Sequence, residues 1–193
     1  MKRLLLVLTL FAAANIYAQH DSLVYMQLNF NENNKITFTK IIDVEETSAG
    51  ELFVRARKWL SDYYNSAETI IDLEDKEQGI IIAKPLGQVG INSTFGLVYV
   101  KMNYTINLYV KDNKYKYEIT DLIHEATPSS HNNYSRARTP MEAIILDDML
   151  YRRNGKVINK TANWKIGTIK HVQQIAYDLE KGMQSPIISN SDW

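Results

Sequence analysis

The longest regular pattern in the chain is a run of alternating apolar and polar residues that turns back on itself. Every even position in residues 98–110 is apolar, and this period of two is typical of a strand with one buried face. Asp112 and Asn113 then supply a two-residue turn that places Lys111 opposite Lys114. In that register the apolar residues of the return strand continue the buried face, and they are Tyr115, Tyr117, Ile119 and Ile123. We therefore expect a long antiparallel hairpin with one buried face.

Four shorter segments have the composition of strands and form two pairs. The first pair is residues 23–30 and 35–44, joined by the turn-forming residues 31–34. The second pair is residues 70–73 and 80–83, joined by the polar residues 74–79. We expect residues 23–30 to be an edge strand. A loop is predicted between the second pair and the long hairpin, because that stretch holds Pro85, Gly87, Gly90 and Gly96.

Three segments have the period of a helix. The first begins at Ser48, where Ser48 and Glu51 have the spacing of a capping box, and it ends near Asn65. Its apolar stripe consists of Leu52, Phe53, Ala56, Trp59, Leu60 and Tyr63, and the opposite, wet face consists of Glu51, Arg55, Lys58 and Asp62. A second helix is predicted to start at Thr139 and Pro140.

The third predicted helix covers residues 161–181 and ends at Gly182. Gly167 lies inside it and costs about 1 kcal/mol relative to Ala, which a close backbone contact would explain. The complete order is ββαββββαα, so we predict an α+β fold of two layers, with a curved antiparallel sheet and helices packed on one face. Residues 19–183 form a single domain in this interpretation, with C-terminal helices in residues 139–183 and a loose tail in residues 184–193.

The N-terminus has the pattern of a secretory signal peptide. Lys2 and Arg3 precede an apolar run in residues 4–14, and a small-residue cleavage site ends at Ala18. We expect residues 1–18 to be removed and the mature protein to be periplasmic or secreted, in a Gram-negative bacterium. The chain has no cysteine, which excludes disulfides, thiolate metal sites and a lipid anchor on a cysteine. We expect no cofactor and no membrane span.

The charge balance argues against nucleic acid as a partner. Without Lys2 and Arg3 the chain keeps 20 basic and 22 acidic residues, a formal net charge of −2. Proteins that bind duplex nucleic acid usually carry a basic excess, because neutralising phosphates dominates their affinity.

Four segments resemble a known family. They are ITFTKIIDV (36–44), TSAGELFVRARKWL (47–60), IIDLEDKEQGIIIAK (70–84) and YTINLYVKDNKYKYEITD (104–121). The stretch 36–124 resembles a bacterial exported family of unknown function that is described as having a TATA-binding-protein-like (TBP-like) fold. The resemblance implies a curved antiparallel sheet with helices on its convex side. It implies no catalytic residue and no ligand, and a fold name alone does not bring DNA binding with it.

The uncovered face of the long strand is the main candidate site. Its outward residues are Tyr99, Lys101, Asn103, Thr105, Asn107 and Tyr109, spaced about 7 Å apart along the strand. Aromatic rings with interleaved hydrogen-bonding groups suit a glycan, a peptide or a partner protein. The alternative is an ordinary solvated face made of residues that favour strands.

A second candidate is a metal site at His124, Glu125 and His131, since imidazole and carboxylate groups can ligate zinc. The spacing matches no zinc-protease motif, and a third ligand such as His171 would have to come from elsewhere. Further carboxylates that could serve acid–base chemistry are Asp72, Asp75, Glu77, Asp147 and Asp148, and Ser129, Ser130 and His131 suggest a nucleophile without the glycine-framed turn it needs. The alternatives are turns and solvated helix positions.

Three functions remain open from the sequence. The first is a non-catalytic binding or interaction module of the cell envelope that uses the open sheet face. The second is a structural or assembly partner of another envelope protein, docked through a sheet edge or the tail. The third is a metal-dependent hydrolase that uses the histidines near residue 124.

Overall fold

The structure is a computed structural model, and it describes residues 22–125 and 138–186. In this part of the chain eight strands form one antiparallel sheet. They are β1 (Asn29–Phe30), β2 (Ile36–Asp43), β3 (Ile71–Asp75), β4 (Ile80–Ala83), β5 (Leu86–Ser93), β6 (Gly96–Lys111), β7 (Lys114–Glu125) and β8 (Arg138–Pro140). The helices are α1 (Ala49–Tyr64), α2 (Ala67–Ile70), α3 (Glu142–Ile145), α4 (Asp147–Leu150) and α5 (Asn159–Gln184). The predicted α+β class is confirmed.

The sheet has the strand order β1-β2-β7-β6-β4-β3. Strand β6 is long enough to pair with β5 over its first half and with β4 over its second half, while β7 runs along its other edge. Strand β8 adds to the end of β7. The predicted β6–β7 hairpin is confirmed, since Lys111 pairs with Lys114 across the turn.

The core lies between the sheet and the two long helices. The inward residues of β6 are Met102, Tyr104, Ile106, Leu108 and Val110, and all of them are buried. They pack with the apolar stripes of α1 and α5, which include Leu52, Leu60, Val172, Ile175 and Leu179. Burying this many apolar side chains on one face is the main source of stability for the two layers.

A bulge in β7 corrects the prediction for Ile123. The register between β6 and β7 shifts between Asn103 and Thr105, and Asp121 adopts a positive φ of 52°. An extra residue in one strand reverses the faces of the residues beyond it. Leu122 is therefore fully buried in the core, and Ile123 lies on the opposite face.

The predicted loop before the long hairpin is wrong, because residues 86–93 form strand β5. Its glycines allow close approach of α5. A Cβ on Gly87 would lie 2.8 Å from Nε2 of His171, and the carbonyl oxygen of Gly90 lies 2.6 Å from the position of a Cβ on Gly167. The expected close contact at Gly167 is confirmed, and the glycines mark helix–strand packing here instead of a loop.

Three element predictions need smaller corrections. Within residues 23–30 the strand covers only Asn29 and Phe30, and residues 22–24 form a helical turn. Thr139 and Pro140 belong to β8, and the predicted second helix is two single turns, α3 and α4, separated at Leu146, whose ψ is 156°. The predicted cleavage site at Ala18 and the end of the tail lie outside the described residues.

Candidate functional site

One face of the sheet is covered by helices and the other is open. We define the open face by the residues of β2, β3, β4, β6 and β7 that point away from α1 and α5. Pairing places Ile41 beside Lys116, Lys116 beside Tyr109, and Tyr109 beside Ile80 in one row across four strands. The six predicted site residues from Tyr99 to Tyr109 share this face, as their alternation predicts. That they bind a ligand or a partner stays a prediction.

The six residues differ widely in exposure. Tyr99 is 67% exposed, whereas Thr105 is only 9% exposed. Lys101 is exposed, and Asn103, Asn107 and Tyr109 are half-buried. A partner therefore reaches the Tyr99 end of the row more easily than the rest of it.

Cross-strand hydrogen bonds occupy the centre of the row. The amide of Asn103 donates to Glu125 Oε2 at 3.2 Å, and the amide of Asn107 donates to Glu118 Oε2 at 3.2 Å. Between them the hydroxyl of Thr105 donates to Asp121 Oδ2 at 3.4 Å. The sequence analysis considered these groups as candidates for binding a ligand. In the structure their side chains form hydrogen bonds that connect β6 to β7. The acidic partners come from β7, so only the register and the bulge reveal them.

Tyr109 interacts with two charged side chains of the neighbouring strand β7, those of Lys116 and Glu118. The ammonium nitrogen of Lys116 lies 4.5 Å from the centre of the Tyr109 ring, which is a cation–π contact. Burial raises the pKa of the Tyr109 phenol, and the nearby carboxylate of Glu118 raises it further. The phenol is therefore a neutral donor at physiological pH.

Exposed apolar side chains form part of the open face that sequence reasoning missed. Ile41 is 65% exposed and Leu73 is 46% exposed, and their strand registers place both on this face. At the other end Leu97 is 56% exposed and stands two residues before Tyr99. They lie on β2, β3 and the start of β6, so they mark separate parts of the open face where apolar surface stays available to a partner.

A depression lies where the β6–β7 hairpin closes. It has a volume of about 390 Å³, and its lining residues are Ile41, Tyr109, Lys111, Lys114, Tyr115 and Lys116. Its size is within the range typical of small-molecule sites, which is about 300–1,000 Å³.

The predicted metal ligands are not brought together. His124 lies half-buried on the helix side of the sheet, where its ring centre is 4.7 Å from that of Trp164, and burial lowers its pKa. Glu125 follows it in the strand and points to the opposite face. His131 lies outside the described residues. Within residues 22–125 and 138–186, no group of three His, Asp or Glu side chains is placed to hold a metal ion.

The predicted third ligand, His171, belongs to a buried cluster with two tyrosines. The centre of its ring lies 5.5 Å from the centre of the Tyr104 ring. The hydroxyl oxygens of Tyr104 and Tyr64 lie 3.0 Å apart, within hydrogen-bonding distance. Burial lowers the pKa of His171 and raises that of Tyr104 to about 12. Nε2 of His171 is buried and makes no hydrogen bond among the described residues.

Three of the five carboxylates considered for acid–base chemistry have structural partners. Asp147 pairs with the buried ammonium of Lys165 at 2.9 Å, and Asp72 pairs with Lys84 at 2.7 Å. Asp75 accepts a hydrogen bond from the backbone N–H of Gln78 and closes the β3–β4 turn. Ser129 and Ser130 lie outside the described residues.

Together these features define an α+β protein with an open antiparallel sheet whose helices lie on one side. Residues 38–125 match the model of a family described as a domain of unknown function (DUF4468) with TBP-like fold. The resemblance predicted from the sequence is confirmed. In the described residues no helix is long and apolar enough to cross a membrane.

Two solved structures share this architecture. A TBP-like protein from Parabacteroides distasonis matches with a TM-score of 0.64 and 19% identity, covering 81% of this chain and 97% of that chain. A DUF4468 family protein from Bacteroides ovatus matches with a TM-score of 0.66 and 16% identity, covering 82% of this chain and 91% of that chain. At such identities the likeness concerns the fold alone. A comparison with curated proteins finds no match.

Proposed function

We propose that this protein is exported to the cell envelope and acts there as a non-catalytic binding module through its open sheet face. The observation that carries the proposal is the contrast between the two faces. The helices bury one face, while the other keeps Ile41, Leu73, Leu97 and Tyr99 exposed to between 46% and 67%. Leaving such side chains in water costs about 25 cal/mol per Å² of apolar surface, which a partner would recover.

Export is supported by the N-terminal pattern of Lys2, Arg3 and the apolar run up to Ala14. Its test is the mass of the protein recovered from the periplasm or medium after expression in a Gram-negative host. We expect the mass of a chain that begins at Gln19. A full-length chain retained in the cytoplasm would contradict export.

Binding through the open face is tested by photo-crosslinking in the native cell. A photoreactive phenylalanine analogue replaces Tyr99, which is the most exposed of the six residues in the row. Lys58 on α1 serves as the control position, since its side chain is 60% exposed on the helix side. We expect an adduct of discrete mass from position 99 and none from position 58. Equal labelling at both positions, or no adduct at position 99, would contradict the proposal.

A further inference from the structure

Three lysines meet at the closed end of the β6–β7 hairpin, and we call Lys111, Lys114 and Lys116 the lysine corner. Lys111 and Lys114 are directly opposite each other in the register. Like charges in that position destabilise a sheet, because opposed Cβ atoms are only about 4.5–5.5 Å apart. Within the described part of the chain, none of the three ammonium groups forms an ion pair.

Three carboxylates lie near the lysine corner, those of Asp43, Asp112 and Glu118, but none of them lines the depression. Asp43 is opposite Lys114 in the register, and no ion pair joins the two. Glu118 lies two positions beyond Lys116, and its oxygens accept hydrogen bonds from Asn107 at 3.2 Å and Thr37 at 3.4 Å. The carboxylates of Asp112 and Glu118 already accept hydrogen bonds, and the lining of the depression itself contains three lysines and no acidic residue.

The lysine corner is built on a fixed frame. Asp112 Oδ1 accepts a hydrogen bond from the backbone N–H of Ala49 at 2.7 Å. Asn113 Oδ1 accepts from the N–H of Thr47 at 3.1 Å, and the Asn113 N–H donates to the Thr47 carbonyl at 2.8 Å. These bonds tie the turn to the start of α1, so the backbone that carries the lysines does not have to be ordered when a ligand binds.

The donors and the shape of the depression indicate the class of ligand. Three lysines line this depression, and their ammonium groups bind phosphate as compact point charges. A phosphate monoester offers them three acceptor oxygens and nearly two negative charges, whereas a carboxylate offers two oxygens and one charge. Ile41 and the Tyr109 ring line the same depression and offer an apolar contact. A ligand with a phosphate head and a small apolar or ring-shaped body would use both features.

We propose that the lysine corner binds a small phosphate monoester, with the phosphate held by Lys111, Lys114 and Lys116 and the body against Ile41 and Tyr109. This inference rests on the proposed function of the open face and names a ligand class for one end of it.

The test is a titration of the isotope-labelled protein with phenyl phosphate, followed by NMR of the backbone amides. We expect the largest shifts in residues 109–116, affinity that falls between about 50 mM and 300 mM salt, and binding about tenfold tighter than that of benzoate or inorganic phosphate. The double variant Lys111→Gln with Lys114→Gln should bind phenyl phosphate about tenfold more weakly. The matched control is Lys76→Gln with Lys170→Gln, which removes two exposed lysines in the β3–β4 turn and on α5.

Several outcomes would overturn the inference. They are shifts spread over the whole surface, equal affinity for phenyl phosphate and benzoate, equal affinity for phenyl phosphate and inorganic phosphate, or equal weakening in the two double variants. A discrete adduct at position 99 together with any of these results would leave the open face as a binding surface and reject the phosphate ligand. Phosphate binding at the lysine corner without an adduct at position 99 would reject the protein partner and keep the small ligand.

Discussion

At the scale of single residues, glycines decide how closely α5 approaches the sheet. Gly167 lies against the backbone of Gly90, and a Cβ added to it would be 2.6 Å from that carbonyl oxygen and from Ile91 Cδ1. Neither group is the end of a long flexible chain, so either the helix or the strand would have to move. The cost of a glycine in the middle of a helix is therefore offset by packing.

We predict that Gly167→Ala lowers the free energy of unfolding by about 1–3 kcal/mol, because the new methyl group overpacks the α5–β5 contact. The measurement is urea denaturation followed by circular dichroism. Gly50→Ala is the matched control, since its added Cβ would meet only Ser48 Oγ at 4.0 Å, and it should stabilise α1 by up to about 1 kcal/mol. Stabilisation by both substitutions would show that the contact at Gly167 is looser than described.

A second residue-scale prediction concerns pH. Burial lowers the pKa of His171 below its value of about 6.5 in the unfolded chain, so the fold favours the neutral ring. Its contribution to stability is complete above about pH 6.5 and is lost as the pH falls from there through the lowered pKa.

The measurement is the unfolding free energy between about pH 7 and pH 5 for the wild type and for His171→Gln. We expect a smaller loss of stability in the variant, although His124 keeps part of the effect because burial lowers its pKa too. Parallel pH profiles would mean that His171 is hydrated and contributes nothing to the pH dependence.

At the scale of elements, the short helix α4 is fixed to α5 by a buried cation. The side chain of Lys165 is only 1% exposed, and its ammonium is bound to Asp147 at the start of α4. We predict that Asp147→Asn lowers the free energy of unfolding by about 1 kcal/mol, because the Asp147 side chain is 70% exposed, so water screens the pair, and the asparagine oxygen still accepts a hydrogen bond. Asp148→Asn is the control, because the carboxylate of Asp148, the next residue along the chain, forms no ion pair among the described contacts. Equal stability of the two variants in urea would contradict this function of Asp147.

The sequence predicts these elements best where the pattern is local. The β6–β7 register follows from the alternation and the Asp112–Asn113 turn, and the start of α1 follows from Ser48, whose Oγ accepts from the N–H of Glu51. The sequence does not predict the burial of a side chain when that burial depends on a contact with a distant part of the chain. Arg55 lies on the predicted wet face of α1 but is buried, because it pairs with Glu51 and donates to the carbonyl of Met183 on α5.

In the candidate site, too, local features are predicted from the sequence and contacts between distant residues are not. Alternation alone predicts which residues of β6 point outward, and Tyr99 and Tyr109 share the open face as expected. Their neighbours depend on pairing between strands that are far apart in the chain. Lys116 reaches Tyr109 and Asp121 reaches Thr105 only because of the β7 register and its bulge. No period within one strand contains that information.

At the scale of the whole molecule, the helices cover one face of the sheet and leave apolar side chains exposed on the other. A protein whose partner binds the open face gains stability from that burial and needs no catalytic group. The central claim is therefore that the open face is covered in the cell and bare in the purified protein.

Hydroxyl-radical footprinting of the protein in its native cells and in purified form tests that claim most directly. We predict that Ile41, Leu73 and Tyr99 are oxidised less in cells than in the purified protein. Val54 and Tyr177 on the helix side, which are 45% and 64% exposed, should be oxidised equally in both samples. Equal oxidation of Ile41, Leu73 and Tyr99 in the two samples, or equal protection of both sides in cells, would contradict the account.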